Sequence, residues 1–400
     1  MEKSLRTKMA QACGYETGKK MADAMALTVP IVTPMHMSSA FIYDDLETLD
    51  AVYEEEKFGY IYTRCGNPTI DAAAEMVAQA ENGERAVLFS SGMAAIINTI
   101  LAHIKTGDHI VSSPVLYGDV FLYLKDDLAR FGVETTFVDF EDREAFEAAF
   151  RPNTKLVYTE TICNPLMVAA DIPFAAEMAH KHGCKLIVDN SFATPPVCRP
   201  LDLGADMVVE SVTKYLCGHS DITGGISCGS NEDMTPVFHQ FTQSGAIIGP
   251  FEAWLLIRSL RTLDLRMRAH SANAKAVAEW LEKHPKIKKV YYSGLDSSPY
   301  KEVADRCFEN GMASGMVAFD VEGGEEGACK LIAALKNVKL VPTLASYATI
   351  IIFPGKTSHR YMDPADREAA GVSMGLLRLS IGLEDPADII ADFEQALAQI

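Results

Sequence analysis

The sequence predicts an α/β fold: a mainly parallel, doubly wound sheet followed by a smaller C-terminal α/β domain. Three observations predict it. Short apolar runs recur through the middle of the 400-residue chain, helical patterns lie between them, and the texture changes at Pro250. The runs are 86–90 (AVLFS), 109–113 (HIVSS), 133–139 (VETTFVD), 155–161 (KLVYTET), 185–191 (KLIVDNS) and 207–212 (MVVESV). Several are apolar nearly throughout, the pattern of strands covered on both faces. Stretches 93–104 and 172–182 read as helices. Strands alternating with helices imply parallel pairing. Pro250 can open a long helix, because its fixed φ suits a first turn. Trp254, Leu255, Ile257, Leu260 and Leu263 follow at near-helical spacing. Beyond it, 315–321 (GMVAFDV) and 376–383 (LLRLSIGL) read as strands, and Asp385-Pro386 as the cap and first residue of the last helix. The expected organisation is an N-terminal arm over 1–60, a large domain over 61–255 and a small domain over 256–400.

Composition narrows the function classes. Hydrophobic residues make up 48% and charged residues 22%, which suits a large core. Lys plus Arg is 36 against 54 for Asp plus Glu, a net charge of −18. Such a surface repels phosphate backbones, so nucleic acid is an unfavourable partner, and an anionic ligand needs a local site. No apolar run approaches the ~20 residues that span a bilayer. Residues 1–20 are polar and lack the apolar core of a secretory signal, so a cytoplasmic protein is expected. Nine cysteines are scattered without a CxxC pair or zinc spacing. Free thiols and no metal site are expected.

Three segments carry chemistry. Ser211-Val-Thr-Lys-Tyr follows an apolar strand, so Lys214 sits just past a strand's C-terminal end, where open α/β sheets bind ligands. A lysine there can form a Schiff base with a carbonyl cofactor, and the hydroxyls of Ser211 and Thr213 can bind a phosphate. Ser90-Ser-Gly-Met93 joins a strand to a helix, offering backbone amides to an anion, with Gly92 allowing close approach. Asp189 ends the run LIVD, and a carboxylate there can pair with a protonated pyridine nitrogen. Each alone also fits a bland role: a solvated loop lysine, an ordinary helix cap, a turn aspartate. Their arrival in chain order at successive strand ends favours the chemical reading.

These segments, with YTRCGNPT (62–69), LYGD (116–119), ETICNP (160–165), VDNSFATP (188–195) and LLRLSIGLED (376–385), resemble the cysteine/methionine-metabolism (trans-sulfuration) family of pyridoxal-phosphate enzymes. That family includes cystathionine γ-synthase, cystathionine lyases, methionine γ-lyase and homoserine-ester sulfhydrylases. The resemblance runs from about residue 28 to the end. It implies a fold-type I, aspartate-aminotransferase-like architecture and pyridoxal 5'-phosphate as cofactor. It implies that Lys214 is the Schiff-base lysine and proton shuttle, and Asp189 the pyridine-nitrogen partner. Gly92, Met93, Ser211 and Thr213 resemble the phosphate cradle. Tyr117 resembles the aromatic residue stacked on the cofactor and the acid for a leaving sulfur, and Asn164 the partner of the phenolic oxygen. Arg378 resembles the fork that grips a substrate carboxylate, with Thr343 and Asp119 near the substrate. Tyr62 and Arg64 resemble residues that reach a neighbouring subunit's phosphate, so a dimer at least, and commonly a tetramer, is implied.

Within the family the expected reaction is γ-elimination on a sulfur-containing amino acid, as in methionine γ-lyase. The alternatives are γ-replacement and a cystathionine γ- or β-lyase. Asp119 stands where methionine γ-lyases typically carry Cys, and a carboxylate there is expected to disfavour a distal anion. Segment 343–352 (TLASYATIII) lacks the charged residue many members carry near Ala348, and 241–250 (FTQSGAIIGP) lacks a Lys-Asp pair seen in several methionine γ-lyases. From other classes, a non-catalytic cofactor-binding fold is disfavoured because every candidate catalytic residue is present. An aminotransferase is disfavoured by the Tyr62/Arg64 segment and the setting of Tyr117. His219, the one histidine inside a motif, is read as structural.

Overall fold

The structure, a computed structural model, describes residues 3–11 and 30–400. The apolar runs form β1 (Arg85–Phe89), β2 (His109–Ser112), β3 (Glu134–Phe137) and β4 (Thr154–Glu160). A short ribbon follows, β5 (Ile162–Cys163) and β6 (Val168–Ala169), then β7 (Lys185–Asp189), β8 (Met207–Glu210) and β9 (Gly225–Gly229). Seven of these make one sheet in the order β1-β9-β8-β7-β4-β2-β3. Within it β9 alone runs against its neighbours, antiparallel to both β1 and β8. The pairs β8–β7, β7–β4, β4–β2 and β2–β3 are parallel.

The central strands are apolar on both faces because both are covered. Tyr158, Ile187 and Val209 join one buried cluster with Ile96 and Ile100 of the helix Gly92–His103. Val157, Leu186 and Val188 join another with Val77 of the helix Pro68–Glu81 and Ala176 of the helix Ile172–Lys181. Each fully buried aliphatic side chain contributes roughly 1.5–3 kcal/mol relative to exposure. Strand β9 escaped the pattern because GISCG holds two glycines and small side chains, although all five residues are buried.

Pro250 begins the helix Pro250–Leu260, which packs on Pro68–Glu81. After Arg261–Thr262 the helix Leu263–Lys283 covers the second sheet. That sheet consists of β10 (Ile287–Tyr291), β11 (Met316–Val321), β12 (Lys339–Leu340), β13 (Ile350–Ile352) and β14 (Leu376–Ser380), in the order β10-β11-β14-β13-β12. The last helix, Pro386–Leu397, starts as the sequence predicts: the Asp385 side chain accepts a hydrogen bond from the Ala387 amide at 2.9 Å. Large apolar side chains of the arm stay in solvent in the single chain, Ile31 at 86% exposure and Ile42 at 98%. No described helix is long and apolar enough to cross a membrane, and no described cluster of His, Cys, Asp or Glu could hold a metal ion. Eight cysteines are free thiols, and Cys13 lies outside the described residues.

Candidate active site

The C-terminal ends of β2, β4, β7 and β8 open onto one cavity of about 680 Å³, closed on the far side by the second sheet. The strand-end loops bring Gly92, Met93, Ser211, Thr213 and Lys214 to its wall, with Asp189 and Asn164 beside them. Tyr117 and Asp119 enter from the segment after β2, Thr343 from the loop between β12 and β13, and Arg378 from β14. Tyr62 and Arg64 lie outside it and are exposed. Arg64 Nη1 donates to the Thr242 carbonyl at 2.7 Å.

Lys214 sits in a wide helical turn, Val212–Leu216, but leaves helical geometry itself, with φ −91° and ψ −134°. Arg266, buried on the helix Leu263–Lys283, pins that turn. It donates to the carbonyls of Tyr215 at 2.7 Å, Leu216 at 3.2 Å and Ser259 at 3.0 Å. Gly218 makes room for it at φ +72°: a Cβ there would lie 2.0 Å from Arg266 Nη1. Lys214 Nζ donates to Thr343 Oγ1 at 3.0 Å and has no carboxylate partner among the described residues. Burial, and then the charge of Arg378, bring the amine down to about 8.

Asp189 faces the cavity with few partners. Its carboxylate accepts from the Ser191 amide at 2.9 Å and, weakly, from the Tyr158 hydroxyl at 3.5 Å. Burial raises its pKa, and a cation placed beside it would oppose that rise by favouring the carboxylate. Arg378 is 3% exposed. It donates to Asn164 Oδ1 at 2.7 Å and to the Thr343 carbonyl at 3.3 Å, and burial lowers it to about 10. Strand alternation along β14 aims it at the cavity.

The anion cradle is built as the sequence suggests. Ser91 caps the helix Gly92–His103, its hydroxyl accepting from the Ala94 amide at 3.1 Å. A Cβ on Gly92 would meet Ser211 Cβ at 2.9 Å, so only glycine lets the two loops close on a small anion. The Thr213 hydroxyl also holds Gly224, accepting from its amide at 3.0 Å.

Sequence reasoning missed Glu160. Its Oε1 accepts from the Tyr117 amide at 2.6 Å and its Oε2 from the Asn164 amide at 2.9 Å, so one buried carboxylate sets both neighbours. Burial and the nearby Asp189 charge raise its pKa, while the two amides and Arg378 oppose that rise. It carries the signal that revealed Asp189, an acid ending an apolar strand. The rim 352–362 was also missed, having no period to read. His359 anchors it: Nε2 donates to the Leu116 carbonyl at 3.2 Å, and Nδ1 accepts from the Ser358 hydroxyl at 2.9 Å. Ala348 and the segment 241–250 do not line the cavity. The Tyr117 hydroxyl donates to Asp119 Oδ2 at 2.6 Å. Burial and that carboxylate push the phenol up, not down toward phenolate.

The family model described as Cys/Met metabolism PLP-dependent enzyme matches residues 18–398. The chain belongs to this family. It is similar to an L-methionine gamma-lyase of Treponema denticola, with 43% identity over 92% of this chain and 93% of that one. It is also similar to an O-succinylhomoserine sulfhydrylase of Pseudomonas aeruginosa, with 39% identity over 91% and 90%. The crystal structure of metB from Corynebacterium glutamicum superposes with a TM-score of 0.90 at 35% identity, covering 99% of this chain and 98% of that one. The architecture is therefore that of fold-type I pyridoxal-phosphate enzymes. The cavity's chemistry fits such a cofactor: an amine with no carboxylate partner among the described residues, a half-buried carboxyl with few partners, and helix amides with hydroxyls at a glycine where a Cβ would collide.

Proposed function

We propose that the protein is a pyridoxal-phosphate-dependent carbon–sulfur lyase, eliminating the γ-substituent of a sulfur-containing amino acid in the manner of methionine γ-lyase. With L-methionine and water the products would be 2-oxobutanoate, ammonia and methanethiol. Bound pyridoxal phosphate supplies an aldehyde for amine linkage and a ring that accepts electrons. Lys214 would hold the aldehyde carbon and Asp189 the ring nitrogen. Gly92, Met93, Ser211 and Thr213 would hold the phosphate, joined by Tyr62 and Arg64 of a neighbouring protomer. Tyr117 would stack on the ring, and Asn164 would face its phenolic oxygen. The working enzyme is then at least a dimer, and a tetramer in the family's usual form.

The observation that carries the reading is the meeting of Lys214 and Arg378 at Thr343. One residue accepts from the amine through its hydroxyl at 3.0 Å and from the guanidinium through its carbonyl at 3.3 Å. An amino acid whose carboxylate lies on Arg378 puts its Cα within reach of Lys214. An amine near 8 works as a base at neutral pH far better than an ordinary lysine. Tyr117 stands at the cavity wall to protonate a departing sulfur.

The similarity to an O-succinylhomoserine sulfhydrylase supports γ-replacement as the second reading. The test is to incubate cofactor-loaded protein with L-methionine alone and identify the 2-oxo acid by mass spectrometry. 2-Oxobutanoate with methanethiol supports elimination. Absence of any 2-oxo acid from methionine, homocysteine and cystathionine, with turnover of homoserine esters, overturns it in favour of replacement.

A further inference from the structure

Behind the cavity, on the opposite face of the large sheet, two carboxyls meet in the core. Glu81 is the last residue of the helix Pro68–Glu81, and Glu210 ends β8. Strand alternation turns Glu210 the same way as Val208, toward that helix, while Asp189 and Val209 share the other face. Glu81 is 0% exposed and Glu210 1%, and neither lines the cavity. The two side chains are in hydrogen-bond contact with each other. Among the described residues, both oxygens of Glu210 and Oε2 of Glu81 find no other donor. Glu81 Oε1 alone is served, by Asn190 Nδ2 at 2.8 Å. Two ionised carboxylates in contact in a dry core repel each other with nothing to offset the cost. One therefore keeps its hydrogen, and O–H···O is the bond the pair can make.

The surrounding elements leave that hydrogen in place. From β7, Asp189 adds negative charge that disfavours ionised Glu210. From the segment after β7, Arg199 favours ionised Glu81, but it is engaged by Asp202 at 2.6 Å and Glu309 at 3.7 Å, and Asp202 opposes it. Cys198 and, from β9, Cys228 are kept as neutral thiols by burial and by Glu81. Burial, then Glu81 itself, pushes Glu210 well above the usual carboxyl range. The contacts of the pair reach the strand ends that build the cavity floor. Glu210 precedes Ser211, whose amide donates to Ser191 Oγ at 2.7 Å. Asn190, held by Glu81, follows Asp189. It also donates to the Cys198 carbonyl at 2.9 Å and accepts from Thr161 Oγ1, next to Glu160, at 2.7 Å. One run of bonds thus joins the end of β8 to the ends of β7 and β4.

We infer that Glu81 and Glu210 are a positioning pair: they share a proton, and the bond it makes holds Ser211 and Asp189 in place for the cofactor. The inference rests on the cofactor reading above. The pair makes the fold sensitive to pH in a definite direction. An unfolded glutamate ionises near 4.5, and in the folded chain Glu81 does so at about 7 and Glu210 higher. Stability from the shared proton is fully present below 4.5 and is lost as pH rises through the folded values. A glutamine in place of Glu210 has the same shape, donates to Glu81 through its amide, and has no proton to lose. A leucine fills the space and donates nothing.

The test compares the wild-type holoenzyme with Glu210→Gln and Glu210→Leu by three readouts. The infrared difference spectrum of wild type minus Glu210→Gln at neutral pH should contain the C=O band of a neutral carboxyl. The thermal midpoint of wild type should fall relative to that of Glu210→Gln by ~5 °C between about pH 5.5 and 8.5, as one more proton is lost from the folded chain. The dissociation constant for pyridoxal phosphate, from spectrophotometric titration, should stay within ~3-fold of wild type in Glu210→Gln. It should rise roughly tenfold or more in Glu210→Leu, the scale of a buried group left without its partner. A difference spectrum without the band, or a midpoint difference that does not change with pH, overturns the shared proton. Leucine and glutamine variants that bind the cofactor equally well overturn the positioning role and leave the pair as packing. Where the leucine variant does not fold, the infrared and midpoint comparisons decide. Failure of the cofactor reading shows separately, as a wild type that binds no pyridoxal phosphate, and it removes the positioning role while the band and the midpoint shift persist.

Discussion

Replacing Lys214 by methionine should stabilise the cofactor-free protein at neutral pH and do so less as pH rises. Burial and the Arg378 charge bring the amine from 10.5 to about 8. At ~1.4 kcal/mol per pH unit, that difference corresponds to about 3 kcal/mol. A lysine whose folded pKa lies below its unfolded one costs stability when charged. Below about 8 both states carry the proton and the full cost is present. Between about 8 and 10.5 the unfolded chain alone keeps the proton, and the cost fades as pH rises. Methionine removes the charge but also the bond to Thr343, worth about 1 kcal/mol. The expected net gain at pH 7 is therefore roughly 2 kcal/mol, shrinking steadily toward pH 10. Urea unfolding of both proteins without cofactor, at neutral and alkaline pH, measures it. A variant no more stable than wild type at neutral pH, or a gain that persists at pH 10, would refute the claim that an unpaired charged amine sits in this cavity.

Three further outcomes follow from particular contacts. Arg378→Lys should raise KM for the amino acid at least ~10-fold with a smaller change in kcat, because an ammonium cannot reproduce a two-pronged grip; steady-state kinetics showing an unchanged KM would remove Arg378 from carboxylate binding. Gly92→Ala places a Cβ 2.9 Å from Ser211 Cβ, so spectrophotometric titration should show weaker binding of pyridoxal phosphate, and equal affinity would mean that the cradle lies elsewhere. Glu160→Ala strips the acceptor from two amides and should cost roughly 2–6 kcal/mol, at ~1–3 for each, whereas Glu160→Gln keeps one acceptor and should cost about half. Equal losses by urea unfolding would mean that the carboxylate does not hold both loops.

The sheet that positions the site could be read from the sequence because burial on both faces writes itself as continuous apolar runs. Residues 155–161 and 185–191 gave β4 and β7 within a residue or two at each end. Lys214 and Asp189 stood out for a related reason: a charged residue directly after such a run lies at the sheet edge where the cavity opens. Strands β9, β12 and β13 did not stand out, being glycine-rich or only two or three residues long, too short for any period. Glu160 carried the same signal as Asp189 but was absorbed into its strand. Contacts set by tertiary closure had no local signal at all. The bonds of Arg266 to the Lys214 turn, of His359 to Leu116, and of Arg378 to Asn164 across 214 residues are of this kind. The Tyr117–Asp119 bond was local enough to be seen, yet the sequence suggested a substrate contact for Asp119, and only geometry aimed its carboxylate at the phenol.

The central claim is that Lys214 is the residue that carries pyridoxal phosphate. Borohydride reduction of the cofactor-loaded protein, followed by peptide mass mapping, tests it most directly. The account predicts a phosphopyridoxyl mass on the peptide containing Lys214, and none anywhere in Lys214→Ala. A label on another lysine, or a full label in the alanine variant, would contradict it.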